Sequence, residues 1–332
     1  MKILLVTGMY PTEDMPLNGI AVKRQADSLR KIGVEVDVFH LQDVRSLSYP
    51  KRMYALRRHM WENTYDLVHA HYGLQASMMA RNQTLPVIAT YHGTDVNGWN
   101  YTGAKNLHKY IAFTAIASMV RSIAGSFERI IVMTEQMREK FEPPIRDKVE
   151  VLPMGVDIHR FQPIEKEKAR EEMGLRPGRY IAFANNNNEE IKRQDLAEAA
   201  LQVVRKSIPD ADLFVLRGLH YDKVPVALSA CDCLLVTSDK EGSPNIVREA
   251  IACGVPVVSV RVGDVPELIL RDPSVGSIVE RSPESIAEGI TQILENKSPV
   301  HLSTLRQEIS LEAIANKLLA IYNEVLQKVD GR

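Results

Sequence analysis

Apolar residues in this chain fall in short blocks separated by longer stretches of helical, mixed polarity. Lys2–Thr7 is one such block. A helical pattern then runs from about Ile20 to Ile32, and Gly33 stops it ahead of a second strand, Val34–His40. Further strands are expected at Leu67–Ala70, Val87–Thr90 and Ile130–Met133, with a long amphipathic segment near Lys105–Ala124 between the last two. This alternation predicts βαβ units and a parallel sheet covered on both faces. The rhythm breaks at Pro143-Pro144 and again through Pro153–Pro163. It restarts at Tyr180–Ala184 and repeats through Leu213–Leu216, Cys233–Thr237, Val257–Val260 and Ser277–Val279. A last helical stretch, about Ser303–Val329, carries Leu305, Ile309, Ile314, Leu318, Leu319 and Ile321. The pattern therefore predicts two doubly wound α/β domains joined near residues 145–178. Open α/β sheets bind ligands at the carboxyl ends of their strands, so a ligand is expected in a cleft between the two.

A length of 332 residues suits two domains of ordinary size. No apolar run approaches the roughly 20 residues that cross a bilayer. A strand follows directly on Met1 and Lys2, with no signal-peptide pattern. Three cysteines, Cys231, Cys233 and Cys253, are too few for a disulfide framework and point to a reducing cytoplasm, with Cys231-x-Cys233 as buried structural thiols. The net charge of −1 argues against a nucleic-acid binder. Residues 1–150 nevertheless carry +4 and the remainder −5. That basic half suits an anionic acceptor or peripheral contact with a membrane; an ordinary solvated face is the equal alternative. The same two readings apply to the basic, aromatic stretch Tyr49–Trp61.

The most informative segment begins where the strand ends at Thr237. A loop carries Glu241 and Gly242, Ser243 reads as a helix N-cap, and Pro244 as the first helical residue. Asn245, Ile246 and Val247 then offer backbone N–H groups at a positive helix end, an anion site. Glu249 lies five residues past Pro244, roughly 7–8 Å along the helix. A diphosphate at the helix start would have one carboxylate on the loop beyond it and another alongside. Carboxylates accept hydrogen bonds from vicinal diols, which a hexose and a ribose both offer. Two solvated glutamates on a well-capped helix are the alternative.

Glu241-Gly-Ser-Pro-Asn-Ile-Val-Arg-Glu249, followed by Ala-Ile-Ala-Cys-Gly-Val-Pro, resembles the donor signature of the retaining family 4 glycosyltransferases, which have the GT-B fold. Asn18-Gly19-Ile20 resembles that family's glycine-rich first loop, and Tyr91-His92-Gly93-Thr94-Asp95 its His-Gly-x-Asp turn. Leu152–Asp157 resembles the opening of its second domain, and Val262–Glu267 a stretch after the donor helix. The resemblance implies two Rossmann-like domains facing a central cleft: residues 1–150 on the acceptor side, joined by a C-terminal helix of about 315–332, and residues 151–314 holding the donor. It implies that Glu241 contacts the donor sugar, Glu249 the ribose, and His92 the sugar or the acceptor, a satisfied structural histidine being the alternative for His92. Gly19 is read as allowing close approach of the phosphates, with a plain turn glycine as the alternative.

The family also leads to an expectation of an arginine and a lysine for the leaving diphosphate. Lys192 fits the lysine, but the arginine position falls in the asparagine run Asn185–Asn188, and Arg193 is the candidate replacement. His69 and His71 lie two apart on a strand and share a face, without the further ligands a zinc site needs, and are read as structural or acceptor-lining residues. The expected activity is transfer of a sugar from a nucleoside diphosphate sugar to a glycan, lipid-linked or small-molecule acceptor, with the anomeric configuration kept. No metal or other cofactor is expected. A sugar-nucleotide epimerase on the same fold and a non-catalytic nucleotide-sugar-binding protein are the rival readings.

Overall fold

The computed structural model describes residues 1–15, 18–81, 84–98, 107–186, 189–295 and 304–331, with residues 107–109 and 330 described by their backbone alone. The chain divides into two compact units, Met1–Met154 with Leu311–Arg332, and Gly155–Ser310.

In the first unit six strands form one sheet: β1 (Lys2–Thr7), β2 (Glu35–His40), β3 (Leu67–His71), β4 (Val87–Tyr91), β5 (Arg129–Val132) and β6 (Val149–Val151). Their order is β2-β1-β3-β4-β5-β6 and every pairing is parallel. All residues of β3 and β4 are buried, which is why these strands read as unbroken apolar runs and not as alternating ones. The helix Ile20–Lys31 buries Val22, Ala26 and Leu29 on one face. It ends where Gly33, at φ 87°, lets the Val34 amide turn back to the Leu29 carbonyl. Ile314, Ala315, Leu318, Tyr322 and Val325 of the helix Leu311–Asp330 join this unit's core.

The second unit holds β7 (Arg179–Ala184), β8 (Ala211–Leu216), β9 (Cys233–Val236), β10 (Val257–Val260) and β11 (Gly276–Val279). Their order is β11-β10-β9-β7-β8, again all parallel. In both units the strand order reverses at the first strand, between β1 and β3 and between β7 and β9. Such a switch point opens a crevice at the carboxyl ends of the strands.

Two expectations need correction. The stretch taken as a linker contains β6, only three residues long, and the helix Lys166–Glu172, which Glu165 caps through the Lys168 amide. The C-terminal stretch is two helices, Leu305–Glu308 and Leu311–Asp330, with Ser303 outside the described residues. Leu305 and Ile309 belong to the core of the second unit, and the Ile309 carbonyl accepts the Val156 amide at 2.9 Å. Ile314 and Leu318 belong to the core of the first unit, so the helix breaks between the two duties. The long amphipathic segment is described from Leu107, as the helix Leu107–Ile123; Lys105 and Asn106 lie outside the described residues.

Candidate functional site

Lys192 and Glu241 are 49 residues apart in sequence and meet at the β7/β9 switch point. The loop after β9 is stitched to the turn after β7: the Asp239 amide donates to the Ile191 carbonyl at 2.9 Å. The buried Thr237 hydroxyl reaches the carbonyls of Lys192 and Arg193 at 2.7 and 3.0 Å. That stitching brings the Lys192 ammonium to 2.6 Å from Glu241 Oε1, which also accepts the Ser238 hydroxyl at 2.8 Å. Both side chains are largely buried, at 25% and 15% exposure, so the pair sits in a reduced dielectric. Arg193 is placed otherwise. It takes a left-handed backbone at φ 53° and its guanidinium pairs with Asp195 and Asp239 at 2.8 and 3.2 Å. Asp195 and Asp239 hold its pKa above the usual value, Asp195 most strongly. Of the asparagine run, Asn187 and Asn188 lie outside the described residues.

The helix Asn245–Ala252 follows this loop, and its start differs from the expected cap. Pro244, not Ser243, is the N-cap residue, with no side-chain cap bond. The Ser243 hydroxyl is drawn away by a buried ion pair: it accepts from Arg248 Nη1 at 2.6 Å and donates to Asp264 Oδ2 at 3.2 Å, and Arg248 and Asp264 pair with each other. The Val247 amide donates to the Pro244 carbonyl at 3.1 Å, which leaves Asn245 and Ile246 as the forward-facing amides of the helix. Gly242 is pressed against Gly263, where a Cβ would stand 2.5 Å from the Gly242 carbonyl oxygen. The loop carrying Glu241 is thus pinned from behind. Glu249 is buried, and its Oε1 accepts the Tyr221 hydroxyl at 3.2 Å. Phe161 packs edge-on against the Tyr221 ring, and Arg160 lies over it.

In the first unit Gly19 precedes the helix Ile20–Lys31 with φ 69°. A Cβ there would lie 2.2 Å from the Met9 carbonyl oxygen, so the loop's own backbone already demands glycine. His92 follows β4, and Asp95 holds its turn. The Asp95 carboxylate accepts the His92, Gly93 and Gly73 amides at 3.0, 2.8 and 3.4 Å. Burial raises the Asp95 pKa, and those amides work against the rise. The His92 ring stacks on Tyr72 with centroids 3.9 Å apart, and its Nε2 lies 3.2 Å from His71 Nδ1. Behind His71, His69 lies between the Tyr322 and Thr90 hydroxyls at 2.6 and 2.7 Å. Burial pushes His69 and His92 down to about 3, and His71 well below its ordinary value. All three rings are therefore neutral near pH 7.

Sequence reasoning missed Tyr221, the Arg248–Asp264 pair and the anchoring role of Asp95. Asp264 and Asp95 lay inside quoted motifs; Tyr221 had no local signal. The basic, aromatic stretch is the helix Tyr49–Glu62, which buries Met53 and Leu56 and exposes Tyr54 and Trp61. Among the described residues no helix is long and apolar enough to cross a membrane, and no group of three or more His, Cys, Asp or Glu is set to hold a metal ion.

Two family profiles match the chain in order, Glycosyltransferase Family 4 over residues 22–160 and Glycosyl transferases group 1 over residues 206–314. The chain is similar to TuaC of Bacillus subtilis (strain 168), assigned as a teichuronic acid biosynthesis glycosyltransferase, at 25% identity over 88% of this chain and 89% of that one. Its fold resembles sucrose-phosphate synthase from Thermosynechococcus elongatus, with a TM-score of 0.77 and 16% identity over 99% of this chain and 100% of that one. It also resembles Anabaena HepE solved with UDP and glucose, with a TM-score of 0.62 and 17% identity over the whole of both chains. These likenesses identify the two α/β units as those of a GT-B fold.

Proposed function

The chain belongs to the family 4 glycosyltransferases, and from that premise we propose that it moves a hexose-type residue from a nucleoside diphosphate sugar to an acceptor hydroxyl, keeping the anomeric configuration. The observation that carries this reading is the Lys192–Glu241 pair at 2.6 Å, just ahead of the helix Asn245–Ala252. A diphosphate at the Asn245 and Ile246 amides attracts the Lys192 ammonium and leaves the Glu241 carboxylate for sugar hydroxyls. Glu249, held by Tyr221, is then available to the ribose. HepE, solved with UDP and glucose, supports a nucleoside diphosphate as the leaving group.

In the proposed step the bond from the anomeric carbon to the phosphate oxygen breaks on the face where the acceptor oxygen bonds. The acceptor proton passes to the departing phosphate. The protein's part is to position the reactants and to stabilise the charge that develops on the diphosphate. Lys192 and the helix amides supply that stabilisation without a metal, so turnover should survive EDTA. Loss of activity with EDTA, restored by Mg²⁺ or Mn²⁺, would refute it. The acceptor is a glycan, a lipid-linked sugar or a small molecule. The three buried, unpaired cysteines favour a reducing compartment.

The two glutamates separate sugar from nucleotide. Glu241→Ala should weaken the intact donor and cut transfer, yet barely change binding of the free nucleoside diphosphate. Glu249→Ala should weaken both ligands alike. A hydrogen bond to a charged group is worth about 1.5–3 kcal/mol, so each loss is roughly 10- to 150-fold in calorimetric titration. Equal loss of the free diphosphate in Glu241→Ala would place the sugar elsewhere.

A further inference from the structure

His71 lies on β3 and His92 just past β4, and each has one ring nitrogen committed to the other at 3.2 Å. The second nitrogen of His71, Nε2, is fully buried and has no hydrogen-bond partner among the described residues. A neutral imidazole carries one N–H and one lone pair, so the contact has two forms. In one, His71 Nδ1–H donates to His92 Nε2 and only a lone pair is left at His71 Nε2. In the other, His92 Nε2–H donates to His71 Nδ1, and the His71 proton is forced onto Nε2, where it faces no acceptor. Orphaned buried N–H groups are the rarer and costlier defect, which selects the first form. His69 does not interfere with the choice, because both of its nitrogens meet hydroxyls that donate or accept as needed.

We propose that His71 is a positioning residue that fixes the tautomer of His92, so that His92 offers Nδ1–H to the ligand as a hydrogen-bond donor and has no free nitrogen with which to act as a base. This deepens the transferase reading and rests on it only where it calls His92 a ligand contact. Among the described residues His92 Nδ1 has no hydrogen-bond partner, and the residue is only half-buried. The stack on Tyr72 holds the ring, and Asp95 holds the backbone turn that carries it. A fixed neutral donor suits an electronegative ligand oxygen. It does not suit proton abstraction from an acceptor hydroxyl, which leaves that proton to the departing phosphate.

The test reads the tautomer directly. Full-length protein with ¹⁵N-labelled histidine rings is examined by long-range ¹H–¹⁵N correlation near neutral pH, and the His92 signals are identified by their loss in His92→Gln. The expected spectrum shows a protonated Nδ1 and a bare Nε2 on His92. A protonated Nε2, or rapid exchange between tautomers, overturns the proposal. It does so whether or not transfer activity is found, so this failure is distinct from failure of the transferase reading. Two substitutions then separate positioning from packing. Asn at position 71 places an amide donor where Nδ1 stood, and Leu places none. His71→Asn should keep the His92 tautomer and most of the turnover. His71→Leu should release the tautomer and lower kcat about ten-fold, the loss of roughly one hydrogen bond. Equal losses of kcat in the two variants mean that His71 acts by packing alone, which also overturns the proposal. If His71→Leu does not fold, the wild-type and His71→Asn spectra still decide.

Discussion

Glu249 cannot choose its own orientation. It is buried in the helix Asn245–Ala252, and the Tyr221 hydroxyl bonds one carboxylate oxygen at 3.2 Å. Tyr221 in turn is held by the ring of Phe161 and the guanidinium of Arg160. Tyr221→Phe keeps the ring packing and removes only the hydroxyl. It should weaken a free nucleoside diphosphate about ten-fold or more by calorimetric titration, the value of a hydrogen bond to a charged group. The melting temperature should change little. Unchanged affinity would show that Glu249 is oriented without Tyr221. Residues of this kind explain where sequence reading stopped. Glu241, Glu249 and Lys192 are singled out by residue type, local spacing and family resemblance. Tyr221 meets Glu249 from 28 residues away, and only the fold brings them together. Ser243 looked like a cap because its sequence neighbours said so; Arg248 and Asp264 claim its hydroxyl from positions that no local pattern links.

At the scale of elements, strands buried on both faces are legible because burial removes every polar residue except those with a partner. β3 shows the exception, since Leu67-Val-His-Ala-His71 is wholly buried yet carries two histidines. The helix Lys166–Glu172 was missed because among its seven residues only Ala169 is buried, which leaves no periodic signal. The histidines at the ends of β3 and β4 make this part of the sheet sensitive to acid. His69 and His92 titrate at about 3 in the folded chain and His71 well below its ordinary value, against about 6.5 when unfolded. Below that unfolded value the unfolded chain binds protons that the folded chain refuses. Stability contributed by neutral histidines is therefore complete above about pH 6.5 and is lost as pH falls toward about 3, at up to about 1.4 kcal/mol per pH unit for each ring. Asp95, whose pKa is raised, opposes the trend only near the carboxylate range. Urea unfolding should show the midpoint falling from about pH 7.5 to about pH 5. A midpoint flat across that range would mean that the rings take up protons while folded.

Over the whole molecule the chain passes from one core to the other at Ser310, where the sequence reads as a single amphipathic stretch. Periodicity reports that a helix buries a stripe, not which core receives it; only the family resemblance implies a C-terminal helix of about 315–332 joined to the first domain. Leu305 is buried in the core of Gly155–Ser310, and Leu318, thirteen positions later, in the core that includes β1 and β3. Truncating either to Ala removes a fully packed side chain and should cost about 2–5 kcal/mol. The two losses should fall on different units. In Leu318→Ala, amide exchange measured by mass spectrometry should speed up in β1, β3 and the helix Ile20–Lys31, which packs on Leu311–Asp330. In Leu305→Ala it should speed up in β9, β10 and the helix Asn245–Ala252, and binding of nucleoside diphosphate should weaken with it. Lys192, Glu241 and Glu249, the residues proposed to hold the donor, all lie within Gly155–Ser310, so Leu318→Ala should leave that binding nearly intact. If both variants loosened the same peptides, the break at Ser310 would not divide the cores, and the assignment of the last helix to the first unit would be wrong.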